Sequence, residues 1–260
     1  MIMISFINEI IEYKQVLRQL INQQITMRYR RTFFGFFWTL LNPLLNMAII
    51  AVVFSLVMKF QVNEYAIFLF AAMIPWSIFS NSLNQGGSSL LANESLFKKI
   101  YLPKQLFVIS IVTSTLVDSL LSTACLFIIA LILGAKITFA LFFLPMSFLL
   151  LVTFTLGITF ILSIVTVYYR DVQYLIGVVL QALYFATPII YPINAIPEKF
   201  HTIFTINPLV YYIDLFRSPI YYGLIPNIHT LLICSVCSLL SIVCGVVYFR
   251  RNEKKVIFRL

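Results

Sequence analysis

The chain has 260 residues, of which 61% are hydrophobic and 10% charged, with a net charge of +9. Soluble domains carry roughly 25% charged residues, so a soluble fold of this length is excluded and lipid must be the solvent. The positive balance does not point to nucleic acid, because the cations sit in short clusters between apolar segments, which is the pattern of membrane topology.

Residues 1–31 lack the short apolar core and small-residue cleavage site of a secretory leader. They carry an interrupted apolar stripe of Ile7, Ile11, Leu17, Ile21 and Ile25, with Glu9, Glu12, Lys14 and Arg18 mostly off it. That pattern predicts an amphipathic helix lying in the membrane interface, the alternative being a solvated helix packed on a partner. The stretch YRRTFFGFFWTLLNP, residues 29–43, then sets Arg30 and Arg31 directly against ring side chains. The arginines mark the cytoplasmic face, and Trp38 with its neighbouring phenylalanines marks the headgroup layer.

A spanning helix needs about 20 mostly apolar residues. Six segments qualify: 33–58, 65–90, 106–133, 139–167, 172–190 and 225–249. Pro43, Pro75, Pro145 and Pro188 lie within or near their ends, which is tolerated where neighbours satisfy the freed carbonyls. Six crossings put both termini on one side. Fourteen of the 18 Lys and Arg fall on that side, clustered before the first span, at Lys98, Lys99 and Lys104, at Arg170 and in the tail. Only Lys59, Lys136, Lys199 and Arg217 fall on the other, so the termini are expected in the cytoplasm.

The expected fold is therefore an all-α integral membrane protein with six transmembrane helices in a single transmembrane domain, 1–260. It comprises an N-terminal amphipathic interface helix (1–31), a six-helix membrane domain (33–249) and a cytoplasmic tail (250–260). The largest external segment, 191–224, is rich in Pro and Tyr and holds two short helical stretches, 198–204 and 208–222. Asn207 caps the second, with Pro208 at its first position. A segment of this character is expected to dip back into the membrane as re-entrant gate helices.

Much chemistry is missing. There is no GxxxxGK[ST] loop, and the one glycine pair, Gly86-Gly87, is followed by no lysine. His201 and His229 are the only histidines, so a His-based metal site is not expected, and no catalytic triad or carboxylate pair emerges. Cys125, Cys234, Cys237 and Cys244 lie in apolar runs and read as packing residues. Asp118 is the one acid deep in a span; it is either a proton or substrate contact or a structural group bonded to nearby hydroxyls.

What remains is polar patterning. Asn81, Asn84, Gln85 and Ser88 recur at i, i+3, i+4 and i+7, one face of a helix. Such a row suits either a watery path for a hydroxyl-rich substrate or interhelical hydrogen bonds. On the cytoplasmic side, Glu94 to Ile100 reads as a brief surface helix able to press Leu96, Phe97 and Ile100 into a partner's groove, flanked by Lys98 and Lys99. Arg170 and Asp171, in YYRD, form a second contact candidate.

RYRRTFFGFFWTLLNPLL, LANESLFKKIYLPK, YYRDVQYL and TPIIYPINAIPEKFHTIFTINPLVYYIDLFRSPIYYG, in that order, resemble the permease subunit of type-two ABC exporters, in the branch that exports O-antigen, teichoic acid and capsule. The resemblance covers nearly the whole chain. It implies a homodimer joined to two copies of a separate ABC ATPase subunit, which carries the ATP and Mg; no cofactor is expected in this chain, and it is not expected to be an enzyme. It implies export of a polysaccharide linked to undecaprenyl diphosphate across the bacterial cytoplasmic membrane. Glu94 to Ile100 with Arg170 and Asp171 would couple to the ATPase. Arg28, Arg30 and Arg31 would lie where the lipid diphosphate approaches. Tyr184, Tyr191, Tyr211, Tyr212, Tyr221 and Tyr222 would offer ring faces to sugars, although Tyr at an outer interface is also ordinary anchoring. A drug or small-lipid exporter of the same superfamily and a membrane scaffold or transferase without an ATPase are the competing readings.

Overall fold

The computed structural model describes residues 2–30, 38–58, 61–132, 138–197, 199, 201–256 and 259. These form twelve α-helices in chain order and, among the described residues, no strand. The helices are α1 (Ile2–Glu12), α2 (Lys14–Tyr29), α3 (Trp38–Met58), α4 (Val62–Gly87), α5 (Ser89–Ala92), α6 (Glu94–Phe97), α7 (Gln105–Ile132), α8 (Leu144–Tyr168), α9 (Val172–Phe185), α10 (His201–Ile206), α11 (Pro208–Arg217) and α12 (Ile228–Val256). A 3-10 turn over Phe139–Phe143 leads into α8, and a π turn over Ser218–Tyr222 extends α11. Gly223 ends that turn at φ 66°, a left-handed conformation that glycine adopts without steric cost.

Among the described residues, four stretches are long and apolar enough to cross a membrane: Glu64–Gly87, Gln105–Cys125, Phe139–Tyr168 and Ile228–Val256. Leu44–Phe54 and Val172–Phe185 are shorter apolar helical stretches. The expected fifth span is the clearest difference. Its helix stops at Phe185 after 14 residues, about 21 Å of rise against a hydrocarbon core of about 30 Å. The chain goes on as buried, non-helical backbone through Thr187, Pro188, Ile189 and Ile190.

The bundle is built on α8, which packs against both α4 and α12. At the α8–α12 crossing the backbones nearly touch: a Cβ on Gly245 would stand 2.3 Å from the Gly157 carbonyl oxygen. Ser238 and Ser241 of α12 donate to the Leu150 and Phe154 carbonyls of α8, each at 2.7 Å. Small residues and interhelical hydroxyl bonds are what hold helices together where lipid removes the hydrophobic drive. The central core joins α4, α8 and α11 through Phe79, Phe154, Tyr212 and Phe216. Outward, α12 presents Leu232, Val236, Leu239 and Leu240, the apolar surface that lipid accepts.

The N-terminal helices cap one end of the bundle. Two helices meet at Tyr13 where a single one is expected, and the buried face is not the Ile7–Ile11 stripe. Phe6 is buried instead, edge-on to Phe160 at 5.5 Å, while Ile7 and Ile11 stay exposed. A ring fills the space beside Phe160 and Phe249 better than an aliphatic side chain. Leu20 buries against Leu106 and Phe107 of α7, with Ile10 and Leu17 packed around them. Helix α12 runs on through the basic tail to Val256, and this extension is pinned to α1: Arg250 bonds Glu9 at 2.8 Å and Glu253 at 2.9 Å. Gln105, at the start of α7, donates to the other Glu9 oxygen at 2.7 Å.

Candidate functional site

Three groups of predicted residues are brought into definite places. On α4 the side chains of Asn81, Asn84 and Gln85 are exposed and Ser88 half-buried, while Ser82, Leu83, Gly86 and Gly87 turn inward. The turn is forced by packing: a Cβ on Gly86 would meet the Thr159 methyl of α8 at 2.2 Å. The hydroxyl of Ser88 is directed at the Asn84 and Gln85 carbonyls, at 3.3 and 3.2 Å. An amide row therefore faces out of the chain from a helix otherwise suited to the bilayer. Helix α9 flanks it, with Ile176 near Gly87 and Tyr184 5.4 Å from the ring of Trp76. Around Ile176 and Leu180, the only buried residues of α9, Tyr174, Leu175, Val178 and Val179 are exposed.

At the end where the N-terminal helices sit, α5 and α6 turn the chain between α4 and α7. Leu96 and Phe97 are half-buried and pack on Leu20, Leu106 and Phe107, with Phe97 edge-on to Phe107 at 4.8 Å. The residues left outside are Lys98, Lys99, Ile100 and Tyr101, the last 82% exposed. Lys98 pairs with Glu94 one turn back. That hydrogen bond, with the charges of Lys98 and then Arg170, holds the Glu94 carboxyl below its ordinary value. Arg170, in the second predicted contact segment, is thus near enough to act on the Glu94 carboxylate. Arg170 and Asp171 are exposed in the turn between α8 and α9.

The third group is the outer segment. The carbonyls of its unwound stretch each find a donor. The Phe185 carbonyl accepts from the Tyr191 hydroxyl at 2.5 Å, Ala186 from Asn207 at 3.3 Å, and Thr187 from the Ile189 amide at 2.7 Å. Pro188 and Ile189 accept from the Arg217 guanidinium at 2.9 and 3.2 Å, and Ile190 from the Tyr65 hydroxyl at 2.6 Å. Buried carbonyls outside a helix need such donors. Asn207 caps α11 as the sequence predicts, accepting from the Leu209 amide at 3.0 Å, with Pro208 first in the helix. The first gate stretch begins at His201 among the described residues, as Glu198 and Phe200 lie outside them.

The tyrosines divide. Tyr184 and Tyr191 are half-buried, Tyr211 bonds the Thr205 carbonyl at 3.0 Å, and Tyr222 is exposed. Tyr221 is half-buried, its ring 5.3 Å from that of Phe68. Tyr212 is placed in the core instead of on a surface: its ring stacks on Phe154 at 4.7 Å, and its hydroxyl meets the Cys234 carbonyl at 2.9 Å and Ser238 at 2.5 Å. A ring so enclosed has no face left for sugar.

Arg30, at the end of α2, is exposed and borders a cleft of about 470 Å³ lined also by Gln19, Asn22, Gln23, Thr26 and Met27. Arg28 lies on α2, Arg31 lies outside the described residues, and Trp38 opens α3 partly exposed. Asp118 is half-buried in α7, its backbone carbonyl taking the Ser122 hydroxyl at 3.0 Å. All four cysteines are free, and no cluster of three or more potential metal ligands occurs among the described residues.

Residues that the sequence reading passed over stand out. Glu9, Gln105 and Arg250 tie three helices together, although each looks like an ordinary surface residue in sequence. Tyr65 and Arg217 serve the unwound turn; the only advance signal was a lone arginine among external apolar residues.

Residues 15–221 match the family model described as ABC-2 type transporter. An O-antigen export system permease protein, RfbA, of Myxococcus xanthus is 29% identical over 238 residues, 91% of this chain and 92% of the relative. A protein of the same name from Klebsiella pneumoniae is 31% identical over 189 residues, 72% and 73% of the two chains. The polysialic acid transport protein KpsM of Escherichia coli is 25% identical over 247 residues, 93% and 95% of the two. With the family model covering most of a multi-pass helical chain, this protein belongs to the membrane-permease family of ABC-2 type transporters.

Proposed function

We propose that the chain is the transmembrane subunit of an ATP-driven exporter that carries a lipid-linked polysaccharide, of the O-antigen or capsule kind, out of the cytoplasm. The observation that carries this is the outward amide row Asn81, Asn84 and Gln85 on α4. Amides facing hydrocarbon are unfavourable, so the row meets water or a second copy of the chain. Both fit a path for a hydroxyl-rich polymer between two protomers. The names of the relatives supply the cargo class.

In this reading the chain crosses six times, with α3 and α9 plus its unwound extension as the first and fifth crossings. The clusters of Lys and Arg put both termini in the cytoplasm. Two copies of a separate ATPase bind the patch of Lys98, Lys99, Ile100, Arg170 and Asp171, with Glu94 fixed by Lys98 and with Leu96 and Phe97 anchoring the patch to α7 from inside. Arg28, Arg30 and Arg31 meet the lipid diphosphate at the inner interface, beside the polar cleft of α2 and near Trp38. Tyr184, Tyr191 and Tyr211 flank the path towards the outside.

The test is complementation in cells lacking the chain. The double substitution Asn81→Leu with Asn84→Leu is expected to reach wild-type levels in the membrane and restore less than about a tenth of surface polysaccharide, since each lost amide removes hydration or sugar contacts of about 1 kcal/mol. Full restoration of surface glycan by that variant would contradict the proposed path.

A further inference from the structure

Arg217 is a cation buried within the outer segment, 7% exposed, with its guanidinium 3.7 Å from the centre of the Phe68 ring. Burial of such a charge is costly unless it is paired, yet Asp214, one turn back, accepts from Ser218 and Thr230 at 3.3 and 3.4 Å. The guanidinium goes to the Pro188 and Ile189 carbonyls, and its Nε has no hydrogen-bond partner among the described residues. The fork of Arg, its planar fit to an aromatic face and its permanent charge suit this task, and Lys shares only the charge.

The bonds made by Arg217 and Tyr65 have a mechanical meaning. They are side-chain bonds from α11 and α4 onto a stretch of α9's continuation that has no helical ladder of its own. A helix bonded to itself would keep its shape if neighbours moved; the carbonyls of residues 188–190 in this turn are held by α11 and α4 instead. Tyr65 is 2% exposed and Ile189 fully buried, so no water replaces a broken bond until the elements part. The two states this allows, bonded and parted, are the discrete alternatives a gate requires.

We propose that Arg217, together with Tyr65, is the positioning latch that holds the outer end of the transport path shut, by fastening the 188–190 carbonyls of the unwound turn to α11 and α4. The inference rests on the reading of the outer segment as the exit. Opening requires these carbonyls to leave Arg217 and Tyr65 together, because both donors hold consecutive residues of one turn. The cation over Phe68 stays with α11 and α4, which gives the turn a fixed place to return to.

The experiment uses the chain assembled with its ATPase in liposomes loaded with a small neutral polyol, without nucleotide. Efflux is measured per assembled complex, and thermal unfolding is followed in parallel. Tyr65→Phe removes one bond at almost constant shape, and Arg217→Lys keeps the charge while losing the fork. Both are expected to raise resting efflux about tenfold over wild type, the shift produced by losing one hydrogen bond of this kind. A residue that serves stability alone would lower the melting temperature without raising efflux per folded complex. Should Arg217→Lys fail to assemble, Tyr65→Phe still decides. Folded variants as tightly sealed as wild type would overturn the latch. Polyol efflux does not depend on cargo, so a wild-type complex that exports no polysaccharide would sink the functional reading and leave the latch to be judged on efflux.

Discussion

Tyr212 commits its ring to Phe154 and its hydroxyl to Cys234 and Ser238, all inside one protomer. Removing that hydroxyl, as in Tyr212→Phe, is expected to lower stability by about 1 kcal/mol, the net worth of a buried hydrogen bond, and to leave export unchanged. Thermal unfolding in detergent and surface glycan in cells check the two halves; lost export at unchanged stability would return the hydroxyl to the path. At this scale the sequence is legible where chemistry is local. Asn207 followed by Pro208 reads as a cap because cap and helix are neighbours in the chain. The hydrogen-bond partners of Arg217 and Tyr212 are 22 to 29 residues away, and Tyr65 reaches across 125. No spacing rule reaches so far, so an arginine that counts as an external charge turns out to be buried.

Helix α8 carries the bundle because its small residues let α12 approach. A side chain at Gly245 must displace backbone on α8, since the nearest atoms are the Gly157 carbonyl and Cα. Gly245→Val is therefore expected to cost about 3 kcal/mol or more through overpacking and separation of the helices, seen as a lower melting temperature and poor membrane yield. Gly177 on α9 has nothing within 4 Å of an added Cβ. Gly177→Ala is expected to stabilise by about 0.5 kcal/mol from helix propensity alone. Equal melting temperatures for the two variants would contradict this account of the crossing. Four of the six expected spans appear as long apolar helices, and the outward set of Asn81, Asn84 and Gln85 is the one the i, i+3, i+4 spacing predicts. The end of α9 did not follow. The run through residue 190 stays apolar, and what stops the helix is Pro188, which has no N–H to give, together with distant donors that make the non-helical form affordable. The face of α1 was also hidden, because an aliphatic stripe and a single phenylalanine competed and the ring won its place beside Phe160.

For the whole molecule, composition points to a membrane fold, and the match to the ABC-2 transporter family implies an ABC ATPase partner. The fold shows what the proposed contact patch is connected to. The exposed patch at Lys98, Lys99, Ile100 and Arg170 stands on Leu96 and Phe97, which pack on α7 and α2. The same end is tied through Gln105, Glu9 and Arg250 to the extension of α12. In the proposed function, a push on the patch would reach two membrane helices through these packed side chains and charge-assisted hydrogen bonds. The most direct test is transport of a lipid-linked polysaccharide in proteoliposomes holding this chain alone, or this chain with its separate ATPase, with and without ATP. The account predicts movement only when both subunits and hydrolysable ATP are present. Movement by the chain alone, at the same rate without nucleotide, would contradict it.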